Sequence, residues 1–134
     1  MVFFARGHPN VSATHRTTLE VTREDHLTPR GTCIIGVSSQ LACGDLPEEV
    51  KRRLREGARV EVRLSSCGVS DVVRGRGDPR LTLSSPTSIV LRRSGYVDDR
   101  TLAVRCDKAA RDINRRLVEA LRRGARLRVE IAVY

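Results

Sequence analysis

Aromatic residues are almost missing from this chain of 134 residues, which has no tryptophan, two phenylalanines and two tyrosines. Proteins that bind single strands by stacking bases on several aromatic side chains need more of them, so this scarcity argues against that mode. No apolar run approaches the roughly 18 residues of a membrane-spanning helix, and the opening MVFF is too short for a signal peptide. We therefore expect a cytoplasmic protein without a membrane segment.

Lysine is scarce as well, because Lys51 and Lys108 are the only two among 25 basic side chains, and arginine supplies the other 23. Against 16 acidic side chains, the formal net charge is +9. A surplus of this size attracts polyanions, so the expected partner is nucleic acid or a phosphorylated ligand. The alternative is that the arginines reflect codon bias, or ion pairing that stabilises the fold in a hot environment, since many alternate with glutamate, as in Arg59, Glu61 and Arg63.

The four cysteines do not form a recognisable metal or disulfide pattern. Cys33, Cys43, Cys67 and Cys106 are separated by 10, 24 and 39 positions, which lacks the C-x-x-C spacing usual for zinc. The spacing is also unlike that of small secreted disulfide proteins. We expect reduced and mostly buried thiols, with no metal and no cofactor.

The second half of the chain repeats the first. The segment LREGARVEVRL (54–64) aligns with LRRGARLRVEI (121–131), and a shift of 70 residues aligns the two starts at Val2/Val72, Arg6/Arg76, Gly7/Gly77 and Pro9/Pro79. Agreement in order and spacing predicts an internal duplication. We expect a single domain over residues 1–134, built of repeats 2–66 and 72–134.

Each repeat predicts a β-β-β-α-β unit. Alternation of apolar and polar residues indicates strands, and the continuous apolar runs at 33–37 and 101–106 predict central strands. Asp45 and Asp107 are the predicted helix N-caps, and Gly57 and Gly124 the predicted helix ends. Neither unit is large enough to bury its sheet face well alone. The expected fold is α+β and β-rich, with a pseudo-twofold axis and one barrel-like or two-sheet core flanked by two helices.

Two long segments carry a family resemblance: RGHPNVSATHRTTLEVTREDHLTPRGTCIIGV (6–37) and DPRLTLSSPTSIVLRRSGYVDDRTLAVRCDKAARD (78–112). They resemble the archaeal family of uncharacterised proteins called DUF371, and the resemblance covers essentially the whole chain. It implies a cytoplasmic archaeal protein of this size. It implies no activity, ligand or catalytic residue, so candidate sites depend on the residues themselves.

The first repeat contains a polar cluster that the second lacks: His8, Asn10, His15 and Asp25. Two imidazoles and a carboxylate are able to bind a metal or move protons near neutral pH. The alternative is that these histidines close turns, and the absence of H-x-H or H-E-x-x-H spacing favours it.

A second candidate is an anion pocket on the twofold axis, where a predicted helix start would meet a serine-containing loop. Its residues are Ser38, Ser39, Asp107, Lys108 and Arg111. The alternative is an N-cap aspartate followed by ordinary helix surface.

The third candidate is a basic face for nucleic acid, made of outward arginines on the final strands and of Arg111, Arg115 and Arg122 on the second helix. The leading hypothesis is therefore a small basic module that binds RNA or DNA. The rival hypothesis is a small-molecule site, enzymatic or not, at the interface of the two halves, using His8 and His15 or the segment beginning at Asp107.

Overall fold

The computed structural model describes all 134 residues and contains eight strands and two α-helices. In chain order these are β1 (Val2–Arg6), β2 (Thr18–Thr22), β3 (Ile34–Gly36), α1 (Glu48–Arg55), β4 (Arg59–Ser66), β5 (Val69–Arg76), β6 (Ser88–Arg92), β7 (Thr101–Ala103), α2 (Arg115–Arg122) and β8 (Arg126–Val133). A short 3-10 turn precedes each helix, at Cys43–Asp45 and Ala110–Asp112. Neither helix is long and apolar enough to cross a membrane.

The strands form two four-stranded sheets. Sheet 1 has the order β1-β8-β4-β5 and is antiparallel throughout, whereas sheet 2 has the order β3-β2-β6-β7 with parallel outer pairs. Strands from the first and second halves of the chain pair with each other, β1 with β8 and β2 with β6. The α+β, β-rich class is confirmed. Of the two predicted core arrangements, barrel-like and two-sheet, the structure has the two-sheet core.

The core lies between the two sheets and includes the apolar stripes of both helices. One cluster of 31 buried residues joins the inward side chains of β4 and β8 to Leu54 of α1 and Leu117 of α2. Alternation along β4 explains this placement, because Val60, Val62 and Leu64 are buried while their neighbours are not. The gap left between the sheets is only about 10 Å³ and is lined by nine apolar side chains.

The predicted helix starts are wrong, because α1 begins at Glu48 and α2 at Arg115. Asp45 does accept a hydrogen bond from a backbone N–H, that of Ala42 at 2.9 Å, but this bond closes the 3-10 turn before α1. Asp107 lies eight residues before α2 and bonds instead to the backbone of β5. The helix ends are as predicted, since Gly57 and Gly124 follow with left-handed backbones, both at φ +82°.

The prediction of central positions for β3 and β7 is also wrong, because both are edge strands of sheet 2. They are buried for another reason. Val37, just after β3, forms a bridge with Arg6 of β1, and Val104, just after β7, forms one with Arg76 of β5. These two bridges join the sheets at their corners and cover the short edge strands.

The two sheets differ in what covers their outer faces. In sheet 2 both faces are buried, and all five residues of β6 are inaccessible. The 3-10 turns lie over this sheet: the backbone N–H of Gly44 donates to Ser85 and that of Arg111 to His15, at 2.8 and 3.1 Å. In β1, β4 and β8 of sheet 1, buried residues alternate with accessible ones. The outer face of sheet 1 is therefore open to solvent.

Candidate functional site

The open face of sheet 1 carries a dense set of arginines, which we call the arginine face. Residues directly opposite in antiparallel strands share a face, so the pairings of β1, β8, β4 and β5 place seven arginines together. Glu61 and Glu130 are the acids among them. The surplus of five positive charges is more than half of the protein's +9. The seven are Arg6, Arg59, Arg63, Arg74, Arg76, Arg126 and Arg128.

Most of these arginines have no acidic partner. Arg74 pairs with Glu61 and Arg128 with Glu130, each at 3.3 Å. The remaining five form no ion pair: Arg6, Arg59, Arg63, Arg76 and Arg126. Ion pairing therefore does not account for the basic charge of this face.

Several arginines elsewhere do pair with acids, and others donate to backbone carbonyls. Around sheet 2, Arg92 (2.9 Å) and Arg100 (3.1 Å) share the carboxylate of Asp98, and Arg100 lies 3.7 Å from Glu20. Burial alone would raise the pKa of Asp98, but hydrogen bonds from the backbone N–H and guanidinium of Arg100 outweigh it, so the pKa lies below its ordinary value. This network satisfies its buried charges internally, as a structural role requires.

Shallow depressions run along the arginine face. Two of them, of about 480 and 220 Å³, share Phe4 and Arg126 as lining residues, and we call the pair the Phe4 groove. The guanidinium carbon of Arg126 lies 4.2 Å from the centre of the Phe4 ring, a cation–π contact. Across the sheet, a depression of about 370 Å³ is lined by Arg59, Glu61 and Tyr134, among others, and we call it the Tyr134 groove.

The two predicted site histidines both close turns. The Nδ1 atom of His8 accepts a hydrogen bond from the backbone N–H of Asn10 at 3.0 Å. The Nδ1 atom of His15 accepts from the backbone N–H groups of Thr17 and Thr18, at 3.2 and 3.1 Å. One nitrogen of each ring is thereby committed to the backbone.

The second half closes the same turns with other side chains. The carboxylate of Asp78 accepts from the backbone N–H of Arg80 at 2.9 Å, as His8 does from Asn10. The hydroxyl of Ser85 accepts from the residues that follow it, at 3.2 and 3.1 Å, as His15 does. The histidines thus have the hydrogen-bonding role of an aspartate and a serine.

The other two members of the polar cluster lie in separate contacts. The side-chain amide of Asn10 donates to the carbonyl of Leu27 at 2.7 Å. Asp25 is exposed, and its ionic neighbour is His26 at 3.8 Å. No group of three His, Cys, Asp or Glu side chains is arranged to hold a metal ion. The structure does not assemble these residues into one site.

The predicted anion pocket is divided between two edges of sheet 1. Ser38 and Ser39 follow β3 beside β1, and the Ser39 hydroxyl donates to the carbonyl of Leu41 at 2.8 Å. Asp107 lies at the opposite edge, where it exchanges two hydrogen bonds of 2.9 Å with the backbone of Arg74. Ser38 and Ser39 therefore lie apart from Asp107 and do not form one pocket with it.

Lys108 is already engaged by an internal partner. Its ammonium group binds the carboxylate of Asp71 and donates to the carbonyl of Val72 at 3.0 Å. Burial alone would raise the pKa of Asp71, but the hydrogen bond from Lys108 and those from the backbone N–H groups of Asn114 and Val72 hold it below its ordinary value. Lys108 is therefore part of an ion pair that fastens the chain before α2 to β5.

The three arginines predicted to share a helix face do not all lie on the helix: Arg115 and Arg122, seven residues apart, share one side of α2, but Arg111 precedes it. Arg111 lies in the 3-10 turn before α2, 3.8 Å from Asp112. The guanidinium of Arg115 donates to three backbone carbonyls, those of Ile113 (2.9 Å), Ala13 (3.0 Å) and Ala110 (2.8 Å). Arg122 alone is exposed without an ion pair or a hydrogen bond from its side chain.

All four cysteines are free thiols, two of them buried, one half-buried and one exposed. Burial raises the pKa of Cys43 and of Cys106 to about 12, and burial with the nearby Glu20 carboxylate raises that of Cys33 to about 11. Thiols of this kind are protonated at neutral pH and are poor nucleophiles. Only Cys67, at the turn between β4 and β5, is exposed.

The arginine face was only partly predictable. The alternation in β4 and β8 predicts outward charges, but no sequence pattern places these two strands side by side or adds β1 and β5 at their flanks. The signal for it was the pair of matching segments 54–64 and 121–131, whose outward positions are mostly arginine.

This geometry defines a class of protein: an α+β protein with one covered sheet and one open sheet that carries arginines. The model of the family described as a domain of unknown function, DUF371, matches residues 3–134. An uncharacterized protein of the archaeon Methanocaldococcus jannaschii is similar over 129 residues, 45% identical, with 96% of each chain covered. The chain belongs to the DUF371 family.

Proposed function

We propose that this protein binds nucleic acid, RNA or DNA, through the arginine face. The observation that carries the proposal is that five arginines without acidic partners lie on one open sheet face. Arginines with a structural role in this protein have internal partners: Arg92 and Arg100 pair with Asp98, and Arg115 donates to three backbone carbonyls. Unpaired guanidinium groups on a solvent-facing sheet repel one another, and a ligand with repeated phosphates relieves that repulsion.

The contacts expected from such a face are with the phosphate backbone. Guanidinium groups bind phosphate oxygens in a bidentate way, which gives affinity without reading sequence. The seven arginines span all four strands, and neighbouring strands are about 4.8 Å apart, so a polyanion several phosphates long is able to cross the face. We therefore expect weak sequence preference and a strong dependence on salt.

The rival hypothesis, a small-molecule site at the interface of the halves, finds no room in the interior of the fold. The space between the sheets is about 10 Å³ and its lining is entirely apolar. A site for a phosphorylated or carboxylated ligand needs a few hundred Å³ and converging polar groups. The interior therefore provides no room for such a ligand, and no activity is proposed.

We also propose that the chain is a single domain that arose by duplication of residues 2–66 and 72–134. Exchanging β1 with β5, β2 with β6, β3 with β7 and β4 with β8 leaves both sheet orders unchanged, which supports this origin. Positive φ angles recur at matching places, Ala13 with Leu83 and Ser38 with Arg105. The two bridges at the sheet corners correspond in the same way.

The test of the binding proposal is a salt titration of the purified protein with a fluorescent oligonucleotide. At about 50 mM salt we expect measurable binding, and the logarithm of the association constant should fall with the logarithm of salt at a slope near −3, for about four phosphates contacted. Fluorescence anisotropy measures it. Absence of binding at low salt, or affinity unaffected by salt, would refute the proposal.

A further inference from the structure

We infer that the Phe4 groove is the end of the arginine face that binds single-stranded nucleic acid, with a base stacked on the Arg126 guanidinium. The inference rests on the proposed function and adds where on the face the ligand binds and what form of nucleic acid it is. Three observations carry it: the shape of the groove, the stacked pair inside it, and its difference from the Tyr134 groove.

The shape of the groove suits separate bases. Its two depressions, of about 480 and 220 Å³, lie on either side of the stacked Phe4 and Arg126 side chains. A single strand is able to place successive bases into such depressions, whereas the bases of a duplex stay inside the helix.

The stacked pair supplies a platform despite the scarcity of aromatic residues. The guanidinium carbon of Arg126 lies over the Phe4 ring and Arg126 is exposed, so we expect the side of the guanidinium away from the ring to be accessible. A guanidinium plane held in this way stacks on a nucleobase as an aromatic ring does. Phe4 is itself half-buried, so it holds Arg126 in place.

The charges distinguish this end of the face from the other. The Phe4 groove is lined by Arg6, Arg126 and Arg128 and by no acid; Arg128 binds Glu130, which lies outside the groove, at 3.3 Å, whereas Arg6 and Arg126 form no ion pair. In the Tyr134 groove, Glu61 binds Arg74 at 3.3 Å and accepts a hydrogen bond from the Tyr134 hydroxyl at 3.4 Å. A phosphate arriving there meets a carboxylate and must compete with an existing ion pair.

The two halves of the chain provide a matched pair of variants. Arg59 corresponds to Arg126, since each is the first residue of its strand, exposed and without an ion pair. Arg126→Ala and Arg59→Ala therefore remove the same charge from equivalent backbone positions. Phe4→Leu is a third variant, which keeps an apolar side chain beneath Arg126 but removes the ring.

The experiment measures the affinity of each variant for an oligouridylate and an oligothymidylate of about ten nucleotides, with a duplex of equal length as competitor. We expect Arg126→Ala to weaken binding about tenfold and Phe4→Leu about threefold, with Arg59→Ala weakening it less than twofold. The duplex should compete weakly. Thermal melts confirm that each variant is folded.

Equal losses for Arg126→Ala and Arg59→Ala, or a duplex that competes as well as the single strand, would overturn this inference. Both results would leave the proposed function standing, because binding would still depend on arginines and salt. Failure of the wild-type protein to bind any of the three nucleic acids would instead refute the proposed function itself.

Discussion

Replacing the five unpaired arginines of the arginine face by alanine is expected to weaken nucleic-acid binding by a factor of about a hundred or more. The variant carries Arg6→Ala, Arg59→Ala, Arg63→Ala, Arg76→Ala and Arg126→Ala. Each phosphate contact that is lost also reduces the salt dependence, by about one unit of slope. The stability cost should be small because none of the five forms an ion pair, and removing neighbouring like charges relieves repulsion.

The chain offers a control of equal charge. Five other exposed arginines form neither an ion pair nor a side-chain hydrogen bond and are not among the seven of the arginine face: Arg16, Arg30, Arg105, Arg116 and Arg122. Replacing these by alanine gives the same net charge of +4, from +9. We expect this control to bind within about threefold of the wild type, because it lowers only the long-range electrostatic attraction between the protein and the nucleic acid. Equal losses in both variants would mean that net charge, and not the sheet face, governs binding.

The second large effect is expected at two equivalent glycines, Gly7 and Gly77. A Cβ at Gly7 would overlap the carbonyl oxygen of Leu121 in α2, and a Cβ at Gly77 would overlap that of Leu54 in α1. Both clashes involve backbone, which has no rotamer to change. Gly7→Ala and Gly77→Ala should therefore each cost about 3 kcal/mol of unfolding free energy, or about 10 °C in Tm.

Gly57→Ala is the matched control for these two variants. A Cβ there meets no atom within 4 Å, and the cost comes from the left-handed backbone at φ +82° alone. We expect about 1 kcal/mol from this strain. Urea unfolding of the four proteins measures the differences. If Gly7→Ala or Gly77→Ala cost no more than Gly57→Ala, the close packing of each strand end on the helix of the other half would be wrong.

The strands were predictable because alternation is a local property of the chain. Val60, Val62 and Leu64 follow the period of two that any half-buried strand has, and β1 and β2 begin and end where the pattern does. The helix starts were not predictable in the same way. Asp45 caps free N–H groups, but a 3-10 turn exposes such groups just as an α-helix does, so the capping pattern does not distinguish them.

The candidate site was less predictable because its parts come together only through long-range pairing. The absence of histidine from the second half suggested specialisation of the first. In the structure, His15 and Ser85 each close a turn by accepting a hydrogen bond from the backbone N–H three residues later. That the two side chains have the same role follows from the geometry of the loops, which composition does not reveal. Likewise, Arg126 and Phe4 are distant in sequence and meet because β1 pairs with β8.

The most direct test of the central claim is an NMR titration of the arginine side chains with a short single-stranded oligonucleotide. Each arginine gives its own Nε–H signal, so the experiment reports which guanidinium groups contact phosphate. The account predicts large shifts for Arg6, Arg63 and Arg126 and none for Arg16, Arg116 and Arg122. Shifts concentrated on Arg116 and Arg122 of α2, with the sheet arginines unchanged, would contradict it.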